Sequence, residues 1–111
     1  MRFEKVEDGY KDSETGLIWK DKDESYEFIY KGAMELNGDV WRLPTVQELL
    51  SIVDYTKHKP ATKLPGIKAS GYWSASPDIH YSDSAWSVHF NCGDSYGHYR
   101  NHYRYIRLIR K

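Results

Sequence analysis

Apolar residues in the first half of the chain follow one strand pattern and two helical patterns. The stretch TGLIWK at 15–20 predicts a short strand after a turn-rich start. Apolar residues at helical spacing predict a first helix over 24–37, which Asn37-Gly38 ends. A second helix is predicted over 45–55, where Thr45 and Glu48 have the spacing of a capping box. Its apolar face comprises Val46, Leu49, Leu50 and Val53.

The second half of the chain alternates between apolar and polar residues. After a loop rich in Pro and Gly at 56–71, the stretches YWSAS, AWSVHF and YRYIRLIR have strand composition. Two helices followed by strands predict an α+β fold in which both helices pack on an antiparallel sheet. The last strand is expected beside the N-terminal strand. The buried core is predicted to include Trp41, Leu50, Trp73, Trp86, Phe90 and Leu108.

The alternation also predicts which side chains face solvent. In AWSVHF, Trp86, Val88 and Phe90 are expected in the core, with Ser87 and His89 on the exposed face. In the closing strand, Ile106 and Leu108 are expected in the core, while Arg107 and Ile109 point the other way. Arg42, just before the second helix, is predicted to be a buried and paired framework residue.

Composition and charge narrow the class of protein. The 111 residues are 40% apolar and 29% charged, which indicates one globular domain over 1–111. A net charge of zero gives no field that would draw the chain to nucleic acid. The charged N-terminus and the lack of a long apolar run predict no signal peptide and no membrane span. We therefore expect a cytoplasmic or virion-associated protein, and Cys92 alone allows no intrachain disulfide.

The stretches TGLIWK, WRLPTVQELLSIVDY, GYWSAS, AWSVHF and IRLIR match, in order, landmarks of the DUF1566 family, which the chain resembles. The resemblance implies a C-type-lectin-like fold of the formylglycine-generating-enzyme type. Family members often pair two cysteines, and the matching places here, near Ala33 and at Leu108, are apolar. Packing is therefore expected to replace that disulfide. Calcium-dependent lectins of this fold carry an EPN or QPD loop and a WND triplet, and this sequence has neither. Formylglycine-generating chemistry needs more than one cysteine, and Cys92 is the only one here. We therefore expect no enzymatic activity, no cofactor and no metal.

The residue usage changes abruptly along the chain. Residues 69–110 contain no Lys, Glu, Gln or Met, whereas residues 1–68 contain nineteen. Diversity-generating retroelements randomise the adenines of Asn codons. The resulting codons encode Tyr, His, Asp, Ser, Gly, Cys and Arg, but not Lys, Glu, Gln or Met. The closing run AWSVHFNCGDSYGHYRNHYRYIRLIR also matches the pattern with which variable proteins of such elements end, and the chain resembles one of them. This resemblance implies a framework over about 1–76, a variable region over about 77–104 and a closing framework strand over 105–111.

Tyrosines among small polar residues are typical of antibody-like binding surfaces, because Tyr supplies rigid contact area. The sequence predicts a non-enzymatic module that binds a protein or surface glycan of unknown identity. The predicted ligand-binding residues are Ser87, His89, Asn91, Asp94, Tyr96, His98, Tyr99, Asn101, His102 and Tyr103.

Other interpretations of this region stay open. A small phage- or mobile-element-encoded inhibitor could bind a host enzyme through the same face, or the region could be ordinary and undiversified. His98 and His102, four residues apart, could hold zinc. Arginines among the tyrosines could form a nucleic-acid strip, although their spacing near three divides them between the two faces of a strand. These arginines are Arg100, Arg104, Arg107 and Arg110.

Overall fold

Two antiparallel sheets and two short helices form in residues 2–24 and 26–111, the part of the chain that this computed structural model describes. The elements are, in chain order, β1 (Phe3–Val6), β2 (Gly9–Asp12), β3 (Ile18–Lys20), α1 (Tyr30–Met34), α2 (Val46–Ser51), β4 (Gly71–Pro77), β5 (Ser84–His89), β6 (Asp94–Tyr99) and β7 (Ile109–Arg110). The domain is small and mostly β, with the predicted helices and antiparallel pairing both present.

The two sheets divide the strands between the ends of the chain and its middle. One sheet has the order β1-β2-β3-β7 and the other the order β4-β5-β6. In the first sheet, Trp19 of β3 pairs with Ile109 of β7. This pairing confirms the prediction that the last strand lies beside the strand predicted from TGLIWK, although β7 covers only Ile109–Arg110 of the predicted strand YRYIRLIR.

A hairpin of β1 and β2 occupies the start of the chain, where the sequence predicted only turns. Val6 pairs with Gly9 across a two-residue loop. Gly9 has to be glycine here, because a Cβ at this position would collide with the carbonyl oxygen of Trp19 on the neighbouring strand. The loop residues are Glu7 and Asp8, so the Asp8-Gly9 dipeptide marks the turn but lies one residue later than in a type I′ hairpin.

Both helices are shorter than predicted. Helix α2 begins at the predicted capping box, in which Thr45 Oγ1 accepts from the amide of Glu48 at 3.2 Å and a Glu48 carboxylate oxygen accepts from the amide of Thr45 at 2.8 Å. Helix α1 begins only at Tyr30, because the backbone of Phe28 is extended and exchanges two hydrogen bonds with that of Arg104. Ser25, within the predicted first helix, lies outside the described residues.

The core consists of two clusters on opposite faces of the sheet β4-β5-β6. Tyr72 and Val88 belong to the cluster that α2 covers, and Trp73 and Ala85 to the cluster that α1 covers. Strands β4 and β5 are therefore buried on both faces. The first cluster also contains Phe3, Trp19, Leu49, Ile52, Leu64, Ile67, Phe90 and Ile109, and the second Tyr30, Ala33, Leu43, Ile106 and Leu108.

The structure confirms half of the predicted core. Trp73, Phe90 and Leu108 are buried, whereas Trp41, Leu50 and Trp86 are only half-buried. Trp41 packs on the rim of the second cluster, and the cationic ends of Lys20 and Arg110 lie 5.5 and 5.4 Å from its ring. Trp86 pairs with Gly97 on the edge strand, which has no side chain to cover the indole. Leu50 packs against the first cluster from its rim.

The prediction that Arg107 and Ile109 point away from the core is wrong. The alternation itself is present, since Ile106 and Leu108 lie in the second cluster and Ile109 in the first, but both sides are buried. The buried guanidinium of Arg107 donates from Nε to Asp23 at 2.9 Å and from Nη1 to the carbonyl of Lys20 at 3.0 Å. A buried charge is tolerated here because it is paired and hydrogen-bonded.

Candidate functional site

The predicted ligand-binding residues lie mainly on β6 and the segment that follows it. Strand β6 is an edge strand, since its sheet has the order β4-β5-β6. Six of the predicted residues on β6 and 100–103 are exposed, and we call these six the display patch. They are Asp94, Tyr96, Tyr99, Asn101, His102 and Tyr103.

The other four predicted residues are placed differently. Asn91 is exposed in the turn before β6, and His89 and His98 are half-buried beside the patch. Ser87 is fully buried, so the prediction that it is displayed is wrong. It lies on the central strand between Trp73 and Tyr96, its partners on β4 and β6, and these large neighbours cover it.

The framework holds the backbone of the display patch. All six residues of β6 pair in register with β5, from His89 opposite Asp94 to Ser84 opposite Tyr99. The turn before β6 contains Gly93, which has a positive φ of 88° and donates its amide to the carbonyl of His89 at 2.8 Å. After β6, the amide of Tyr30 donates to the carbonyl of Arg100 at 2.9 Å.

Aromatic rings connect the patch across the end of β6. Alternation puts Tyr96 and His98 on one face of the strand and Tyr99 on the other, so the patch is not confined to a single face. The His89 ring lies 5.3 Å from the rings of both Tyr96 and His98. The His102 ring, 6.3 Å from His98 and 5.9 Å from Tyr99, bridges the two faces.

A cleft of about 420 Å³ lies on the Tyr99 side of the edge strand. Tyr81 and Asp83, in the connection between β4 and β5, form one wall, and β6 and His102 form the other. Tyr81 and Asp83 are not among the ten predicted ligand-binding residues, although both lie in the predicted variable region 77–104. The residue usage of that region was the signal that pointed to them. The remaining lining residues are Ser84, Gly97 and His98.

The histidines beside the patch are biased towards the neutral form. Burial, together with the charge of Arg104 and the neighbouring His89 and His102, lowers the pKa of His98 to about 4. Burial and Arg104 likewise lower the pKa of His89. A guanidinium has only donors, so His98 Nδ1 must accept the hydrogen bond from Arg104 Nη2 at 3.0 Å. The proton of neutral His98 is therefore on Nε2.

Cys92 is exposed at the other end of the patch and is not an activated thiol. Its Sγ lies 3.1 Å from Asp94 Oδ2, which also accepts from the Tyr96 hydroxyl at 3.2 Å. The carboxylate raises the pKa of the Cys92 thiol, so the thiol form dominates at neutral pH. Reactive cysteines have the opposite shift.

The alternative interpretations can be compared with the geometry. Within 2–24 and 26–111, no group of three or more His, Cys, Asp or Glu side chains could hold a metal ion. The four C-terminal arginines do not form one strip, because Arg107 is buried against Asp23. Arg42 is paired as predicted, through two hydrogen bonds of 2.8 Å to Glu48, but it is half-buried rather than buried.

Helices of the described ranges are all too short or too polar to cross a bilayer. Comparison with curated proteins and with solved structures finds no match. The model of the Lcl C-terminal domain family matches residues 9–110, which is nearly the whole chain. This family is related to DUF1566-type proteins, so the resemblance read from the sequence motifs is correct at that level. The chain belongs to the Lcl C-terminal domain family.

Proposed function

We propose that this domain is a non-enzymatic binding module whose ligand contacts the display patch and the cleft beside it. The observation that carries the proposal is the exposure of three tyrosines, Tyr96, Tyr99 and Tyr103, by 43, 58 and 61%. Pairing with β5 holds the backbone of Tyr96 and Tyr99, and the hydrogen bonds of Arg100 and Arg104 to the backbone before and at the start of α1 flank Tyr103. Exposed large aromatics on a rigid support bind with little loss of conformational entropy.

The strands of the sheet β4-β5-β6 differ in burial, and this difference supports the proposal. Strands β4 and β5 contribute Tyr72, Trp73, Ala85 and Val88 to the two core clusters, whereas no residue of β6 is buried. Side chains of β6 can therefore change with little effect on either core. This property is expected of a variable protein of a diversity-generating retroelement on a C-type-lectin-like scaffold, and we propose that origin for the domain.

The proposal of a binding module rather than an enzyme rests on the chemistry of the patch. Its cysteine has a raised pKa, and His98 uses Nδ1 as an acceptor for Arg104 rather than for a reacting group. A neighbouring reverse-transcriptase gene and an Asn-codon-rich template copy would separate a retroelement protein from a phage-encoded inhibitor that uses the same face.

Two display libraries of equal size would test the function. One randomises the six residues of the display patch. The matched control randomises six exposed residues in and around the hairpin of β1, an edge strand of the other sheet. They are Glu4, Lys5, Glu7, Lys11, Ser13 and Glu14. Both libraries are panned against one test protein, streptavidin, after protease selection for folded members.

We expect most members of both libraries to fold, because the randomised side chains are exposed. Binders should come mainly from the patch library, since the patch has a cleft beside it and its backbone is fixed. If the patch library is largely unfolded, or gives no more binders than the hairpin library, the proposed function is wrong.

A further inference from the structure

Arginines of the framework and of the predicted variable region differ in how their charge is balanced. Four of the chain's arginines have a carboxylate oxygen within hydrogen-bonding distance: Arg2, Arg42, Arg107 and Arg110, with Asp12, Glu48, Asp23 and Asp8 respectively. Among the described residues, neither Arg100 nor Arg104 has a carboxylate partner. Arg100 lies over the ring of Tyr30, at 5.0 Å, and donates from Nε to the carbonyl of Ser84 at 3.1 Å. Arg104 lies in the histidine cluster beside the display patch.

Most of the hydrogen-bonding capacity of Arg104 is unused. Nη1 donates to the carbonyl of Tyr103 at 2.7 Å and Nη2 to Nδ1 of His98 at 3.0 Å. Nε is buried and has no partner in the described part of the protein. A guanidinium carries five N–H donors, so three are left. The side chain packs closely over Gly71, where a Cβ would lie 2.6 Å from Arg104 Cδ and 2.8 Å from His89 Nε2.

The neighbouring histidine adds a further donor. Because Nδ1 of His98 accepts from Arg104, Nε2 carries the proton, and this atom is also buried without a partner among the described residues. Unpaired buried donors cost free energy until they find an acceptor. Nε2 of His89 is also buried without a partner among the described residues, and it donates or accepts according to its tautomer. The cluster thus combines one positive charge that no described carboxylate balances with two unpaired buried donors, Arg104 Nε and His98 Nε2. It lies beside the exposed side chains of the display patch.

We infer that Arg104 receives a carboxylate of the ligand, from an Asp or Glu side chain of a protein partner. This inference rests on the proposed function. A carboxylate matches the planar fork of a guanidinium and carries the single negative charge that one arginine balances. Flanking tyrosines suit the peptide around such a residue. The exposed ring of His102 lies 6.3 Å from the ring of His98, at the side of the cluster that belongs to the display patch.

A titration with acetate tests the site without knowledge of the partner. The ring resonances of His89, His98 and His102 are followed by NMR at pH 7 and constant ionic strength, with acetate and then sulfate as the added anion. The variant is Arg104→Gln. The matched control is Arg110→Gln, which removes the same charge at the remote pair with Asp8. Backbone spectra report that each variant is folded.

We expect saturable shifts of the His98 and His89 rings with acetate, at least tenfold weaker binding in R104Q and no change in R110Q. Sulfate should bind less tightly than acetate. A non-saturable response, unchanged acetate binding in R104Q, or tighter binding of sulfate would overturn the assignment. If R104Q does not fold, R104K replaces it. Lysine cannot form the fork, so acetate binding at least threefold weaker is expected, and equal affinity would overturn the assignment.

Failure of this inference is distinguishable from failure of the proposed function. The acetate titration probes only Arg104 and its histidines, whereas the library selection probes the six exposed residues of the display patch, which do not include Arg104. Binders obtained from the patch library without acetate binding would leave the module intact and remove the carboxylate site.

Discussion

Gly93 closes the turn that carries the chain from the buried strand β5 to the edge strand β6. Its φ of 88° lies in the left-handed region, and it is buried. A Cβ at this position would lie 2.5 Å from Val53 Cγ1 and 3.3 Å from a ring carbon of Tyr55. Replacement by alanine therefore has two costs, one for the backbone conformation and one for the collision with the residues after α2.

The two costs can be separated with a second glycine. Gly16 has a similar φ of 77°, but a Cβ there meets no atom within 4 Å. Gly16→Ala should thus show the backbone cost alone, roughly 1–2 kcal/mol. Gly93→Ala should add overpacking of about 1–3 kcal/mol, for a total of about 2–5 kcal/mol.

Urea denaturation of the wild type and of both variants measures these free energies of unfolding, provided that the three proteins show the same slope of free energy against urea concentration. The difference between the variants should be at least about 1 kcal/mol. Equal destabilisation would refute the reasoning, because it would mean that the turn moves away from Val53 at no cost and does not fix the start of β6.

Three further results are expected. Arg107→Ala should lower the free energy of unfolding by about 3–5 kcal/mol, because it leaves the buried carboxylate of Asp23 without its main partner. Arg110→Ala should cost much less, because water reaches its pair with Asp8. Similar losses for the two variants in urea denaturation would contradict this. The pKa of His98, about 4 when folded against 6.5 as the ordinary value, means that the unfolded chain binds more protons between these pH values. The free energy of unfolding should therefore fall as pH is lowered from 6.5 to 4, and it should fall less steeply in His98→Asn. An identical pH dependence in the wild type and this variant would contradict the lowered pKa of His98. Replacing Tyr96, Tyr99 and Tyr103 together by serine should change the free energy of unfolding by only a few tenths of a kcal/mol per residue, because all three are exposed. Loss of the thermal unfolding transition in this variant would mean that these tyrosines belong to the core.

Local signals predicted the parts of the fold that depend on neighbouring residues. The capping box of Thr45 and Glu48 lies within four residues, so the start of α2 could be read directly. The alternation of β5 was also correct, since it follows from strand geometry alone. What the pattern could not give is whether a second layer covers the other face. That depends on α1 and on the strand order, and it is why Ser87 was wrongly expected in solvent.

Long-range pairs explain the remaining differences. Arg107 was assigned to the outer face because it alternates with the apolar Ile106 and Leu108. Alternation could not reveal that its partner, Asp23, lies 84 residues away in the sequence. The same limit applies to the candidate site. Composition singled out the exposed tyrosines of β6, but the cleft beside them needs Tyr81 and Asp83 from the preceding connection. The sequence alone does not say which loop lies against which strand.

The position of each strand in the second sheet determines which residues can vary. Ser87 and Tyr96 are direct cross-strand partners, yet the first is fully buried and the second is 43% exposed. The difference arises because β5 has a strand on each side and a core cluster on each face, whereas β6 has a free edge. Pairing with β5 fixes the β6 backbone through main-chain hydrogen bonds, which are independent of side-chain identity at these positions. If the proposed function is correct, this separation lets the domain change its ligand without redesigning its core.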